Sequence, residues 1–343
     1  MGKLFYGLYC LGLIILGFFL SELFLRFRGD RPFNPVGFSI TVEPGGKLYQ
    51  PHAQLGYTHI PGPFKVTLPD GYHFKVTHLS NHRRATESGQ HGKQSPGKPA
   101  LWIFGCSITY GWAINDQETF PWLLQERFPQ INIDNYGVSG YGTVHAYWQL
   151  QEELQTQPKP LAVIITYGSF HDTRNVCSRH YRKAIITHAA LGNLKFPAAR
   201  FDPQNRLIYV QVPSVYREFP FMRYSAFIHR LEESYNRRER DALRYHEVTQ
   251  AIMADIIKLC QQHEIPVIVA GVKDDSVTYN MLAFAREQGG YAVDIAVDLK
   301  KKEYTNYPHD SHPSAQAHRE YAFKLETFLR KSGLTDLTKN GRP

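Results

Sequence analysis

Sulfur has little to do in this chain. Its four cysteines, Cys10, Cys106, Cys177 and Cys260, are scattered through 343 residues with no Cys-x-x-Cys and no paired metal-ligand spacing. Cys10 lies in an apolar run and Cys260 in a helical pattern, which argues against a disulfide scaffold and leaves the redox compartment open. Internal repeats and low-complexity tracts are missing too, which excludes a solenoid or a linker-rich disordered chain. No nucleic-acid recognition motif accompanies the net charge of +8. The densest basic clusters, Arg237 to Arg240 and Lys300 to Lys302, are interrupted or followed by Glu239 and Glu303. They are read as solvated surface, and no nucleic-acid partner is expected. At 43% hydrophobic and 20% charged residues the chain is neither disordered nor wholly membrane-embedded.

Charge is absent altogether from Leu4 to Ser21, a run dominated by Leu, Ile, Phe, Gly and Tyr. As a helix it spans roughly 27 Å, close to the bilayer core of about 30 Å. The run continues into Glu22-Leu23-Phe24-Leu25-Arg26 with no small-x-small cleavage site, which favours an uncleaved anchor over a signal peptide. Tyr9 and the short apolar stretch before Cys10 argue against a lipoprotein. Lys3 and the amino terminus on one flank oppose Arg26, Arg28 and Arg31 on the other, so flanking charge leaves the orientation undecided.

What is present divides the chain into three parts: a transmembrane anchor over 1–28, a β-rich lead-in and linker over 29–99, and an α/β domain over 100–335. In the lead-in, alternation at Phe64 to Leu68 and His73 to Thr77 brackets Asp70-Gly71, a hairpin signal. The polar stretch Thr86 to Lys98 is expected to be an exposed loop. From Ala100 the pattern alternates. Strands are expected at Leu101–Phe104, Ile131–Asn135, Leu161–Thr166, Val267–Ala270 and Ala292–Ile295. Helices are expected at Thr119–Phe128, Val144–Gln155, Ala242–His263, Thr278–Gln288 and Ala315–Lys331. Such alternation predicts a parallel sheet with helices on both faces. An aromatic and basic insertion at about 177–236 is expected to lie over the carboxyl edge and shape a substrate cleft.

Two motifs carry chemistry. The first is Leu101-Trp102-Ile103-Phe104-Gly105-Cys106-Ser107, an apolar run that ends on Gly-x-Ser. A buried parallel strand that ends this way presents a hydroxyl at its carboxyl edge. The second is Asp310-Ser311-His312-Pro313. A serine is a weak nucleophile until a base takes its proton, and His312 with Asp310 supplies a base and its orienting carboxylate. Each residue also has a plainer role to weigh. Ser107 suits a helix cap, Cys106 is a rival nucleophile or a packing residue, and His309, His312 and His318 form a metal-like trio without a matching ligand pair. Asp172 and Arg174 form a surface pair or order the cleft, and the sequence does not choose.

These blocks resemble the SGNH (GDSL-like) hydrolase superfamily, as a divergent member. Gly105-Cys106-Ser107-Ile108-Thr109-Tyr110-Gly111 matches the first block, with Cys106 where the family usually has Asp. Asn135-Tyr136-Gly137-Val138-Ser139-Gly140 matches the second. Tyr167-Gly168-Ser169-Phe170-His171-Asp172 matches the third imperfectly, with one extra residue and His171 in place of Asn. Asp310-Ser311-His312-Pro313 matches the last, one residue shorter than the frequent Asp-x-x-His. The resemblance covers about Ala100 to Lys331. It implies a flavodoxin-like three-layer parallel sheet, catalytic Ser107, His312 and Asp310, and an oxyanion hole from Ser107, Gly140 and His171; no cofactor is expected, and no metal, since the His trio lacks a matching ligand pair.

The expected function is a membrane-anchored serine ester hydrolase acting on O-acyl groups of a cell-envelope glycan or lipid. The motifs do not separate it from an O-acyltransferase on an envelope polysaccharide, nor from a non-catalytic binding or assembly protein of the same fold. The resemblance, more than the charge, puts the catalytic domain on the periplasmic or extracellular side. Its partners are then an acylated carbohydrate or lipid and the membrane, with the oligomeric state open.

Overall fold

The computed structural model describes residues 2–35, 40–89, 97–185 and 191–335. Helix α1 (Gly2–Phe27) carries the apolar run, and none of its residues is buried. At 26 residues it is about 39 Å long, enough to cross a bilayer. Glu22 joins its last turns to the rest of the chain. Its carboxylate accepts from Ser225 Oγ at 2.7 Å and from the Phe227 N–H at 2.8 Å. These groups lie at the start of a long helix at Ala226–Ala242, whose free N–H groups suit a carboxylate.

The core is a five-stranded parallel sheet of β6 (Ala100–Phe104), β7 (Asn132–Asn135), β8 (Ala162–Tyr167), β11 (Val267–Gly271) and β12 (Tyr291–Asp294), in the order β12-β11-β8-β6-β7. Counted among themselves these strands run 2-1-3-4-5, the flavodoxin order, with the switch point between β6 and β8. All five expected strands form, each to within a residue or two. Alternation explains the three layers. Leu101, Ile103, Ala162, Ile164, Ile268 and Ala270 face one way. There they meet Phe120 and Leu124 of α3 (Phe120–Arg127) and Tyr321 and Leu325 of α10 (Ala315–Ser332). Trp102, Phe104, Val163, Ile165 and Val269 face the other way. Their partners include Leu150 of α4 (Thr143–Thr156), Ile252 and Ile256 of α8 (Tyr245–Gln262) and Met281 of α9 (Ser276–Glu287).

The lead-in holds two small antiparallel sheets: β1 (Thr41–Glu43), β4 (Gly62–Thr67) and β5 (His73–His78), and a separate hairpin of β2 (Tyr49–His52) with β3 (Gly56–His59). The β4–β5 hairpin turns at Asp70-Gly71 as expected, with Gly71 at φ +91. Val66, Phe74 and Val76 pack against Tyr110 and Trp112, just past the Gly-x-Ser turn. Arg84 locks this contact. Fully buried, it pairs with Asp116 at 2.8 Å and donates to the carbonyls of Tyr110 and Gly111 at 2.6 Å and of Ile114 at 2.8 Å.

The expected exposed loop at Thr86 to Lys98 needs correcting at its start. Thr86 is buried because its hydroxyl donates to the Ile133 carbonyl at 2.8 Å, while 90–96 lie outside the described residues. The insertion is more ordered than its composition suggests. It forms α6 (Arg179–Ala184), a hairpin of β9 (Lys195–Phe201) and β10 (Leu207–Pro213), and α7 (Ala226–Ala242). All four cysteines are free.

Candidate active site

The switch point leaves a crevice at the carboxyl edge of the sheet, where the chains leaving β6 and β8 part to opposite faces. Ser107 stands there, as the first residue of the short helix α2 (Ser107–Tyr110). The turn before it must be glycine. A Cβ on Gly105 would lie 2.0 Å from Thr166 Oγ1 and 2.1 Å from Thr109 Oγ1, and these two hydroxyls already share a 2.5 Å hydrogen bond.

His312 reaches Ser107 from the loop before α10. Its Nε2 lies 2.9 Å from Ser107 Oγ, and its Nδ1 lies 2.5 Å from Asp310 Oδ1. The His312 N–H donates to the same oxygen at 2.7 Å, and Trp112 Nε1 donates to Asp310 Oδ2 at 3.3 Å. Burial of Asp310 works against its charge, but the hydrogen bonds from His312 and Trp112 outweigh it and hold the carboxyl below its ordinary value. With its Nδ1 side on a carboxylate, the imidazole presents Nε2 as the acceptor for the serine proton. The loop is tied down by Asn306, which donates to the Ala113 carbonyl at 3.2 Å, and by His309, 2.5 Å from Asp70 in the lead-in hairpin.

Gly140 lines the same cavity as Ser107 and His312. It sits at φ +88, and an added Cβ would come within 2.3 Å of the Tyr57 hydroxyl. That hydroxyl donates to the Ser139 carbonyl at 2.6 Å, and Tyr181 donates to the Gly140 carbonyl at 3.0 Å. The loop is thus clamped from both sides. The Ser107 N–H, first in its helix, has no acceptor within that helix. Such free N–H groups at a strand-to-helix turn suit a developing oxyanion.

His171 opens the short helix α5 (His171–Asn175). Its ring is fully buried rather than turned to the cleft, against Tyr167 and Phe170, with Nδ1 3.2 Å from Thr143 Oγ1. Burial, with the nearby Arg174 charge, holds it far below the usual histidine value. The ring lines neither cavity at Ser107. In its place Phe170 and Arg174 face the cavity. Asp172 does not pair with Arg174. It accepts from Tyr167 Oη at 2.8 Å and lies 3.0 Å from His246.

Cys106 packs in the core with Ile103 and Tyr321 and lines neither cavity beside Ser107. The three C-terminal histidines also part company. His309 stacks on Tyr72, while His318 is buried and accepts from the Phe120 N–H at 3.1 Å. Among the described residues no group of three or more His, Cys, Asp or Glu is placed to hold a metal ion.

Two cavities meet at the Ser107–His312 pair. The larger, about 540 Å³, has walls from Ile40, Val42 and Leu48 of the lead-in and Ala184, Ile185 and Leu191 of the insertion. The smaller, about 240 Å³, lies toward Val272, Leu299 and Pro313. Ser107, Phe170, Arg174 and His312 border both. Sequence reasoning missed Trp112, Arg84 and Phe170. Their roles depend on contacts across the chain, and no local pattern marks them.

Solved structures similar to this chain are SGNH- and GDSL-family lipolytic proteins and esterases, at low identity. A member of the lipolytic G-D-S-L family from Veillonella parvula DSM 2008 shares 14% identity over 67% of this chain and 98% of its own, with a TM-score of 0.37. The SGNH-hydrolase family esterase AlinE4 shares 14% identity over 73% of this chain and 100% of its own, with a TM-score of 0.36. The gut microbial diltiazem-metabolizing enzyme BT4096 shares 16% identity over 68% of this chain and 47% of its own, with a TM-score of 0.34. No protein-family model matches the chain, and a search of curated proteins finds no match. The α/β fold and its five-stranded parallel sheet stand on their own topology, and the chemistry of the site stands on its distances.

Proposed function

We propose that this chain is a serine ester hydrolase held to a membrane by α1. The observation that carries the reading is the unbroken relay from Ser107 Oγ to His312 Nε2 at 2.9 Å and from His312 Nδ1 to Asp310 at 2.5 Å. Ser107 Oγ attacks the acyl carbon while its proton passes to His312 Nε2. His312 returns that proton to the departing alcohol, leaving the acyl group on Ser107. Water, deprotonated by the same nitrogen, then releases the acid and restores the serine. Asp310 keeps its negative charge throughout and stabilises the imidazolium. Backbone N–H groups at Ser107 and Gly140 receive the oxyanion. The substrate class we favour is an acylated carbohydrate or lipid of the cell envelope, with the catalytic domain on the periplasmic or extracellular side.

A second reading has one observation in its favour. The smaller cavity borders both Ser107 and His312, so a sugar hydroxyl seated there in place of water would make the chain an O-acyltransferase. A fluorophosphonate label tests the shared first step. Labelling that is lost in Ser107→Ala and His312→Ala supports it, and an unlabelled wild-type chain removes both readings. Product analysis with and without a sugar acceptor then separates them. Retention in membranes through a carbonate wash, with an intact amino terminus, tests the anchor. Protease added to intact spheroplasts tests the side.

A further inference from the structure

The cations around the reacting pair are not balanced by acids. The larger cavity is bordered by Lys47 and Arg174, and its one carboxylate among the described residues, Asp310, is already engaged by His312 and Trp112. The smaller is bordered by Arg174 and Lys273. Lys273 has its own partners, Asp275 at 3.0 Å and Ser169 Oγ at 2.9 Å. Arg174 has no carboxylate partner among the described residues. It is nevertheless held in place. Nη1 donates to the Tyr141 carbonyl at 2.8 Å, and the guanidinium lies 4.7 Å from the centre of the Phe170 ring. One edge of a flat, permanently charged donor is thereby fixed, while its other N–H groups are left for a ligand. A half-buried arginine held this way costs little further entropy on binding a carboxylate or phosphate, because most of its ordering precedes the ligand.

We infer that Arg174 is a specificity residue that receives an anionic group on the alcohol half of the substrate, so that the preferred ester joins an apolar acyl chain to a carboxylate- or phosphate-bearing alcohol. The inference rests on the ester-cleaving reading above. The larger cavity, with its apolar walls from the lead-in and the insertion, takes the acyl chain. The smaller takes the alcohol, and Arg174 stands at the border where the anion falls close to the scissile bond.

The test uses the full chain in detergent and two pairs of matched esters. One pair is hexanoyl glycolate with hexanoyl glycolamide, equal in shape and different in charge. The other is hexanoyl glycerol with its phosphorylated counterpart. The readout is the ratio of kcat/KM within each pair, before and after Arg174→Gln and Arg174→Lys. An anionic member favoured about tenfold or more, as a charge-assisted bond provides, is the expected result. Arg174→Gln should remove the preference mainly through KM, and Arg174→Lys should keep part of it. The pair that shows the preference identifies carboxylate or phosphate. No preference in either pair overturns the inference, as does a preference that survives Arg174→Gln. An equal proportional fall on charged and neutral members also overturns it, since Arg174 would then serve the oxyanion of the reaction itself. A neutral fluorophosphonate run alongside keeps the failures apart. Labelling at Ser107 without charge preference sinks only this inference, whereas absent labelling sinks the ester-cleaving reading and this inference with it.

Discussion

The two sides of the cleft are built by opposite means. On the sheet side, Ser107 follows β6 within three residues and Gly140 follows β7 within five, so both are carried on buried strands whose register is set by the alternation of the core. On the wall side, Val42 and Leu48 come from the lead-in and Ile185 and Leu191 from the insertion. These segments are joined to the sheet through side-chain packing, the Arg84 side-chain clamp and one main-chain bridge from Arg84 to Asn135 of β7. Ser107 and Gly140 therefore ride on the buried sheet, and the apolar walls of the larger cavity come from segments packed onto it. Chemistry and selectivity should be separable by mutation.

The largest effect should come from the sheet side. Ser107→Ala and His312→Ala should each lower ester turnover by at least about 10³-fold; Tm should be nearly unchanged in Ser107→Ala and lower in His312→Ala, which leaves Asp310 without its partner. Comparable activity in either variant would break the comparison at its root. Next comes Gly140→Ala, which combines left-handed backbone strain with a clash at the Tyr57 hydroxyl. The strain alone is worth about 1–2 kcal/mol. A tenfold or greater loss of kcat is expected, partly recovered when Tyr57→Phe removes the clashing oxygen. Absence of any recovery would mean that the clamp, and not the clash, governs this loop.

The wall should respond differently. Leu48→Trp fills part of the larger cavity, so the ratio of long-chain to short-chain ester turnover should fall about tenfold, within the range set by pocket fit. A uniform loss across chain lengths would show that wall and edge are not independent. The smallest effect is one of pH. The Asp310 carboxyl is held below its ordinary value, so its contribution to stability is complete above the unfolded value and disappears only as pH falls through the lower folded value. The difference in Tm between wild type and Asp310→Asn should stay level from about pH 7 to about pH 5 and shrink in stronger acid. A difference that shrank well above pH 5 would place that titration elsewhere.

Legibility from sequence follows the same division. Strands β6, β8 and β11 could be read because apolar residues facing both layers leave an unbroken buried run, and the Gly-x-Ser and Asp-x-His motifs followed from their chemistry. His171 aligns with its block by residue type, while its helix turns the ring inward onto Thr143 and leaves Phe170 and Arg174 lining the cleft. Arg174 could be named but not placed, since its contacts with the Tyr141 carbonyl and the Phe170 ring exist only in the tertiary structure. The β9–β10 hairpin was hidden by prolines and mixed charge, and Arg84 by the distance between it and the carbonyls it binds.

The Arg84 clamp has a consequence for the order in which the chain can mature. Residues 40–84 leave the ribosome before the carbonyls of Tyr110, Gly111 and Ile114 exist for Arg84 to bind, and well before His309 is made to meet Asp70. The nascent lead-in must therefore wait, with an unpaired guanidinium, until the first strand-and-turn of the sheet emerges. Closure over such separations is slow compared with local helix formation. A segment that waits this way, directly behind an apolar helix, is the stretch most exposed to quality-control proteases and chaperones during biogenesis.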